Sequence, residues 1–347
     1  MSFIGDILTY GGHLKKIILM LMVFSIGACA PQETALPLFP PPRVDIYVID
    51  SSISAVRDEE NSTLKLFDRV QNKIVTEISN NALGSPEFTL DGKQIEGKKP
   101  VGFYLFQLTN RASDSEITQV KNLTGSQEIW NKVNSKSYNL NSTNKLSLWN
   151  KLQLISSEIK DYNTNCDIKV TESLLGESVN DSEKKTLASM LCEETVGSLE
   201  KLNSFKEKIQ KFVEETGGSP GSDIYGMLIS INQWINTLEA KEEIGTKINL
   251  ILLSDMVHDA DSEQDLNKVL NGLTNDEALN LGKAKARELN LNLNKNIDIY
   301  IVGIGAFGKN YQTAAQFTQV LTNYWTGFFG EQNQIYFTPS LDDVNLG

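Results

Sequence analysis

Apolar residues form several short, nearly continuous runs along the chain, and polar or turn-forming residues bound each run. Such runs predict strands that are buried on both faces, as in a parallel sheet covered by helices on each side. The runs are rich in β-branched and aromatic residues, which favours strands over buried helices. They lie at residues 44–50, 101–108, 249–255, 297–304 and, more briefly, 335–338.

Between these runs, apolar residues recur every three or four positions, which predicts amphipathic helices. The predicted helices are 55–78, 224–238, 277–289 and 311–328. Strands that alternate with helices predict an α/β fold, a doubly wound, mostly parallel, Rossmann-like sheet, here in a domain spanning 44–345. Within it, segment 110–216 has mixed charges and repeated Leu, Ile and Phe, and we interpret it as a mainly helical insertion.

The N-terminal segment 1–28 has the pattern of a signal peptide. Lys15 and Lys16 precede an apolar run at 17–28, which is shorter than the about 20 residues needed to span a bilayer. The run ends Ile-Gly-Ala-Cys and resembles a bacterial lipobox, which implies a lipid on Cys29 and anchoring in the cell envelope, at the outer membrane or periplasmic face. The Pro-rich segment 29–43 then predicts a stiff tether. An ordinary secretory signal and a retained anchor helix are the alternatives.

The amino-acid composition excludes or disfavours several classes of binding and catalytic site. The chain has 44 acidic and 32 basic residues and a formal charge of -12, which disfavours nucleic-acid binding. It has only two histidines, which excludes a His-rich zinc site and a pair of catalytic histidines. Apart from Cys29, the chain contains Cys166 and Cys192. In an oxidising compartment these two can form a disulfide, and the alternative is a pair of buried free thiols.

Acidic and hydroxyl side chains that could bind a ligand lie at the ends of two predicted strands and at the start of one predicted helix. The strand 44–50 ends with Asp50, and Ser52 and Ser54 follow in a D-x-S-x-S pattern. Ser222 comes just before the helix 224–238, and Asp255 ends the strand 249–255. Because the carboxyl ends of parallel strands meet at one edge of a sheet, we expect these five side chains to lie together.

These residues resemble the von Willebrand factor type A (VWA) domain and its metal-ion-dependent adhesion site. The first motif of that family matches Asp50, Ser52 and Ser54, the second matches Ser222, and the third matches Asp255. The resemblance implies a divalent cation, with Mg²⁺ expected and Mn²⁺ or Ca²⁺ as alternatives, because hard cations prefer oxygen ligands. It also implies a binding or adhesion protein, not an enzyme, whose protein partner supplies a carboxylate to the ion.

Three departures from the family pattern accompany the resemblance, and one is the separation of Ser54 from Ser222 by 168 positions, which is longer than the family pattern implies. Ser222 stands where Thr is usual, and Met256 follows Asp255 where Gly is frequent. The hydroxyl and carboxyl groups also have simpler interpretations, since Ser and Asp are preferred helix caps. A VWA-like interaction scaffold without a working ion site is therefore the alternative function.

Three other patterns lead to weaker hypotheses. His258, Asp259 and Asp261 predict an acidic surface loop in preference to a second metal cluster. Segment 303–308 fits G-x-G-x-x-G, but too little chain follows for a dinucleotide-binding unit, so we expect no nucleotide. An aspartate-nucleophile phosphatase needs a second Asp two residues after the first, and this chain has Ser52 there. The sequence therefore disfavours that class of enzyme.

Overall fold

The centre of the sheet is the first strand, β1 (Arg43–Asp50), and the computed structural model of the protein shows all its residues buried. Alternate side chains of a strand point to opposite faces. Ile46 and Val48 accordingly contact one hydrophobic cluster, while Tyr47 and Ile49 contact another on the opposite face. The apolar run that predicted this strand therefore reflects burial on both sides.

The structure describes ten longer stretches, several short stretches between residues 128 and 172, and residues 293 and 344. The longer stretches are 43–56, 62–81, 101–112, 115–121, 180–240, 247–260, 265–291, 297–304, 311–330 and 333–338. All of them belong to one compact unit, Leu38–Gly347.

Six strands form one sheet in the order β3-β2-β1-β4-β5-β6. All neighbouring strands are parallel except β2 and β3, which are antiparallel. The predicted doubly wound, mostly parallel α/β fold is therefore confirmed. The other strands are β2 (Val101–Leu108), β3 (Thr118–Lys121), β4 (Lys247–Leu253), β5 (Ile297–Val302) and β6 (Gln334–Thr338).

Helices cover both faces of the sheet. In chain order they are α1 (Ile53–Val56), α2 (Thr63–Asn81), α3 (Asp181–Thr216), α4 (Ile224–Ala240), α5 (Leu266–Val269), α6 (Asn275–Glu288) and α7 (Tyr311–Phe329). Apolar residues of α4, α6 and α7 pack in one cluster with the sheet. Residues of α2 and α3 pack in the other cluster, on the opposite face.

The strand order creates a crevice beside β1. The chain runs outward from β1 to β2 and β3, then returns to β4 on the other side of β1 and continues outward to β5 and β6. The connections after β1 and β4 therefore leave in opposite directions. Ligands of doubly wound sheets bind at this switch point, at the carboxyl ends of the strands.

Two details differ from the sequence-based expectations. The predicted helix 55–78 is divided into α1 and α2. The short strand β3 lies inside segment 110–216, whose described helical part is mainly α3, a helix of 36 residues. An alternating pattern of only four residues carries too little periodicity to reveal an edge strand.

Several predictions fall on residues outside the described stretches. These are the predicted signal peptide 1–28, most of the predicted tether 29–43, the predicted lipidation site Cys29, and Cys166. Cys192 on α3 is disulfide-bonded, and its pairing with Cys166 stays a prediction. Within the described stretches, none of the helices combines the length and apolar character that crossing a bilayer requires.

Candidate metal centre

Asp50 ends β1 at the crevice, and its carboxylate is completely buried. One of its oxygens, Oδ1, accepts the backbone N–H of Ser52 at 2.9 Å. The hydroxyl of Ser222 lies 3.0 Å from each carboxylate oxygen, and the hydroxyl of Ser254 donates to Oδ2 at 2.6 Å. Three segments far apart in sequence therefore meet at this one carboxylate.

Asp255 lies on the other side of the same cluster, just beyond β4, and is 4% exposed. Its Oδ1 accepts the backbone N–H of Val257 at 3.0 Å, and the nearby Ser54 side chain partly opposes the rise in its pKa. The hydroxyls of Ser54 and Ser52 are 3.1 Å apart. Hydrogen bonds thus connect Asp50, Ser52, Ser54 and Ser222, and Asp255 lies close enough for the charge of Asp50 to affect its pKa.

The carboxyl groups of Asp50 and Asp255 dominate the electrostatics of this cluster. Burial raises the pKa of Asp50, although the hydroxyl of Ser254 and the N–H of Ser52 oppose the shift. Burial, followed by the charge of Asp50, raises the pKa of Asp255 to about 7. Among the described residues, no ion pair involves either Asp50 or Asp255. Within the described stretches, no ion pair with a basic side chain therefore offsets the charge of this buried acidic pair.

Helix capping does not account for the hydroxyl of Ser222. The residue that caps α4 is Asp223, whose Oδ1 accepts the N–H of Gly226 at 2.9 Å. The Ser222 side chain is consequently directed at Asp50 and not at the helix terminus. The helix α1, which follows Ser52 and contains Ser54, is a single turn and is too short for capping to explain the polar side chains of Asp50, Ser52 and Ser54.

Ser219 fixes the loops around the cluster to one another. Its backbone N–H donates to Ser51 O at 2.8 Å, and its carbonyl accepts the N–H of Ile53 at 2.8 Å. Its hydroxyl accepts the N–H of Asn110 at 2.8 Å, which connects the loop after β2. The neighbouring Gly218 has φ of +102°, and a Cβ there would lie 3.1 Å from Ser51 O. Only glycine suits this position without strain.

Met256 occupies a backbone conformation that favours glycine. Its φ is 61°, in the left-handed region that residues with a Cβ rarely adopt. Here two hydrogen bonds hold the residue in place. Its N–H donates to Ser254 Oγ at 2.9 Å, and its carbonyl accepts the indole N–H of Trp325 on α7 at 2.9 Å.

Three residues that shape the site, Ser254, His258 and Asp259, were not among the predicted site residues. Ser254 binds Asp50, and its position directly before Asp255 at a strand end was an available signal. His258 is only 3% exposed, so the expectation of a surface loop is wrong for this residue. Asp259 accepts the backbone N–H of Ser222 at 2.6 Å. Nothing in the local pattern distinguishes that contact from a solvated acid.

The donor atoms suit a hard divalent cation. Carboxylate and hydroxyl oxygens are the ligands that Mg²⁺, Mn²⁺ and Ca²⁺ accept, and two carboxylates would balance the charge of one such ion. In the part of the chain that the structure describes, no group of three or more His, Cys, Asp or Glu side chains forms a candidate metal site. An ion at this cluster would therefore depend on the serine hydroxyls as well as on Asp50 and Asp255.

Comparisons of the chain with protein-family models, curated proteins and solved structures find no match. A proposal about function must therefore rest on the residues and on the geometry of the cluster.

Proposed function

We propose that this chain is a lipid-anchored, extracytoplasmic binding protein of the bacterial envelope. In this proposal its VWA-like domain recognises a protein partner through a divalent cation, Mg²⁺ in the first place. Asp50, Ser52, Ser54, Ser222 and Asp255 are the proposed ligands. The lipid anchor on Cys29 and the Pro-rich tether would hold the domain away from the membrane surface.

The observation that supports this proposal best is the buried acidic pair at the switch point of the sheet. Burying a carboxylate without a compensating charge is costly. Asp50 and Asp255 are both almost fully buried, and neither forms an ion pair with a described residue. A dication would offset both charges at once, which gives a physical reason for placing two acids there.

The individual residues have distinct roles in the proposed site. Asp50 and Asp255 supply the negative charge, and the hydroxyls of Ser52, Ser54 and Ser222 are neutral donors. Ser54 is exposed, whereas Ser52 and Ser222 are buried, so the cluster opens to solvent on the Ser54 side. When bound, the ion would offer an incomplete oxygen shell on that side, which a carboxylate of the partner can complete.

Calorimetric titration with Mg²⁺ and Mn²⁺ tests the proposal, and β1 provides a matched control. Asp50 and Asp45 both have completely buried side chains on this strand, but Asp45 belongs to the opposite face and pairs with Arg43. We expect Asp50→Asn to abolish ion binding and Asp45→Asn to leave it unchanged. Equal binding by wild type and Asp50→Asn would end the metal-site assignment.

One observation favours the metal-free scaffold as a second candidate. The carboxylate of Asp50 already accepts hydrogen bonds from Ser52, Ser222 and Ser254. Such a satisfied carboxylate can serve to join three loops without an ion. Capture of partner proteins from envelope extract, with and without excess chelator, separates the two functions. Partner binding that persists in chelator supports the scaffold, and binding that is lost supports the ion-dependent protein.

A further inference from the structure

The loop after β4 and the loop before α4 are joined by a pair of hydrogen bonds, which we call the Ser222–Asp259 clamp. Asp259 Oδ1 accepts the backbone N–H of Ser222 at 2.6 Å, and the Asp259 N–H donates to Ser222 O at 3.3 Å. The backbone of Ser222 is thereby held at both its donor and its acceptor.

Gly221 allows this clamp to form. A Cβ built on Gly221 would lie 2.7 Å from the carbonyl oxygen of Asp259 and 2.8 Å from its Oδ1. Such distances are shorter than real Cβ contacts, and one of the two atoms belongs to the backbone. Any larger residue at position 221 would therefore push the two loops apart.

His258 adds a second connection between the same loops. Its Nδ1 accepts the N–H of Ile224 at 3.1 Å, and its ring lies 4.1 Å from the ring of Tyr225. Its carbonyl oxygen accepts the N–H of Leu266 at 2.8 Å, which ties this loop to α5. Adjacent residues of one loop thus contact the backbone of the other, and both contacts lie at the start of α4.

The clamp acts on a residue that needs external support. The side chain of Ser222 rotates more freely about χ1 than that of a β-branched residue would. Its hydroxyl must nevertheless reach Asp50, 172 positions away in sequence, at 3.0 Å. Fixing the Ser222 backbone from outside reduces the freedom with which that hydroxyl moves. The side chain of Asp259 forms the shorter of the two clamp bonds, and its backbone N–H forms the longer one.

We propose that Asp259 is a positioning residue of the candidate site, which fixes Ser222 without touching the ion itself. This inference rests on the proposed function, because it assigns the clamp to the ion site. Partners that orient metal ligands typically contribute about 10- to 100-fold to metal affinity. The clamp therefore predicts a loss of that size when the acceptor at position 259 is removed.

Mn²⁺ titration of the full chain separates hydrogen bonding from charge. Asp259→Ala removes the acceptor, whereas Asp259→Asn removes the charge and keeps an oxygen that can accept from Ser222. We expect the Mn²⁺ Kd to rise about 10- to 100-fold in the alanine variant and by less than about 3-fold in the asparagine variant. Equal weakening in both variants would mean that only charge matters, and it would overturn the proposal.

Hydrogen exchange in the presence of chelator tests the clamp without any ion. We expect faster exchange of the Ser222 amide in Asp259→Ala and wild-type exchange in Asp259→Asn. Gly221→Ala perturbs the clamp from the opposite side and should show the same faster exchange and weaker Mn²⁺ binding, which provides a second variant if Asp259→Ala does not fold. Unchanged exchange in both alanine variants contradicts the clamp.

The outcomes distinguish this inference from the proposed function. If the wild-type chain does not bind Mn²⁺, the proposed function fails, and the positioning role fails with it. If the wild type binds Mn²⁺ and the folded Asp259→Ala variant binds equally well, the ion site stands and only the positioning role is refuted.

Discussion

Two glycines allow α6 and α7 to pack backbone against backbone. We therefore predict that replacing either glycine with alanine destabilises the protein. A Cβ added to Gly282 on α6 would overlap the carbonyl oxygen of Tyr324 and lie 2.8 Å from Phe328 N. A Cβ added to Gly327 on α7 would overlap the carbonyl oxygen of Leu279. Because the opposing atoms belong to helix backbones, no side-chain rotation relieves the overlap, and the helices must move apart.

The expected magnitude follows from two opposing terms. Replacing a glycine in a helix interior with alanine normally stabilises a protein by up to about 1 kcal/mol. Overpacking a close contact costs about 1–3 kcal/mol, and a contact between rigid backbones belongs at the upper end of that range. We therefore expect Gly282→Ala to lower the free energy of unfolding by about 2 kcal/mol.

Gly197 provides the matched control. It lies within α3, and a Cβ there would have no atom within 4 Å. The same substitution, Gly197→Ala, is expected to raise the free energy of unfolding by about 0.5–1 kcal/mol, because only the propensity term remains. Urea unfolding followed by circular dichroism measures all variants, provided that the slope of free energy against urea stays constant.

The double variant tests the mechanism of this destabilisation. If one alanine already separates α6 from α7, the second costs less, so Gly282→Ala and Gly327→Ala should destabilise together by less than their sum. A Gly282→Ala protein at least as stable as wild type would refute the argument from close packing. So would destabilisation of the same size by Gly197→Ala, since that position has no neighbour to displace.

Two further predictions concern pH dependence and the membrane anchor. Burial raises the pKa of Asp45 from 3.8 to about 6 in the folded state. The folded protein therefore binds more protons than the unfolded chain between these values. Its free energy of unfolding is greatest at the acid end and falls by about 2 kcal/mol, relative to that of Asp45→Asn, as the pH rises from 4 to 6.5. Urea unfolding at several pH values measures the difference, and parallel pH profiles would contradict it. For the anchor, we expect Cys29→Ser to abolish incorporation of labelled palmitate and release the protein from the membrane fraction, whereas Cys192→Ser remains labelled.

Much of the architecture could be predicted from local patterns, because the spacing of apolar residues reflects which faces of a strand or helix are buried. The run from Val44 to Ile49 lacks the alternation of a half-buried strand, and the structure buries both of its faces. The helix α4 follows from apolar residues at helical spacing, and Ile224, Leu228 and Ile231 all face the core. The short strand β3 escaped prediction because its four residues pair with β2 at the sheet edge without a distinctive pattern.

The candidate site was predictable as a set of residues but not as a geometry. Asp50 and Asp255 each end or follow an apolar strand, and parallel strands bring such ends to one edge. The hydrogen-bond partners within the site could not be predicted in this way. Ser254 reaches Asp50 across 204 positions of sequence, and Asp259 reaches Ser222 only because Gly221 leaves room for it.

The amino-acid sequence by itself thus determined the layers of the fold, the edge where polar side chains gather and the acids that gather there. Hydrophobic periodicity and strand-end position are local properties, so a single sequence displays them. Only the tertiary structure decided which hydroxyl meets which carboxylate and which helix pair touches through glycines. Those contacts depend on distances between segments far apart in the chain, and these distances are fixed only when the whole core packs.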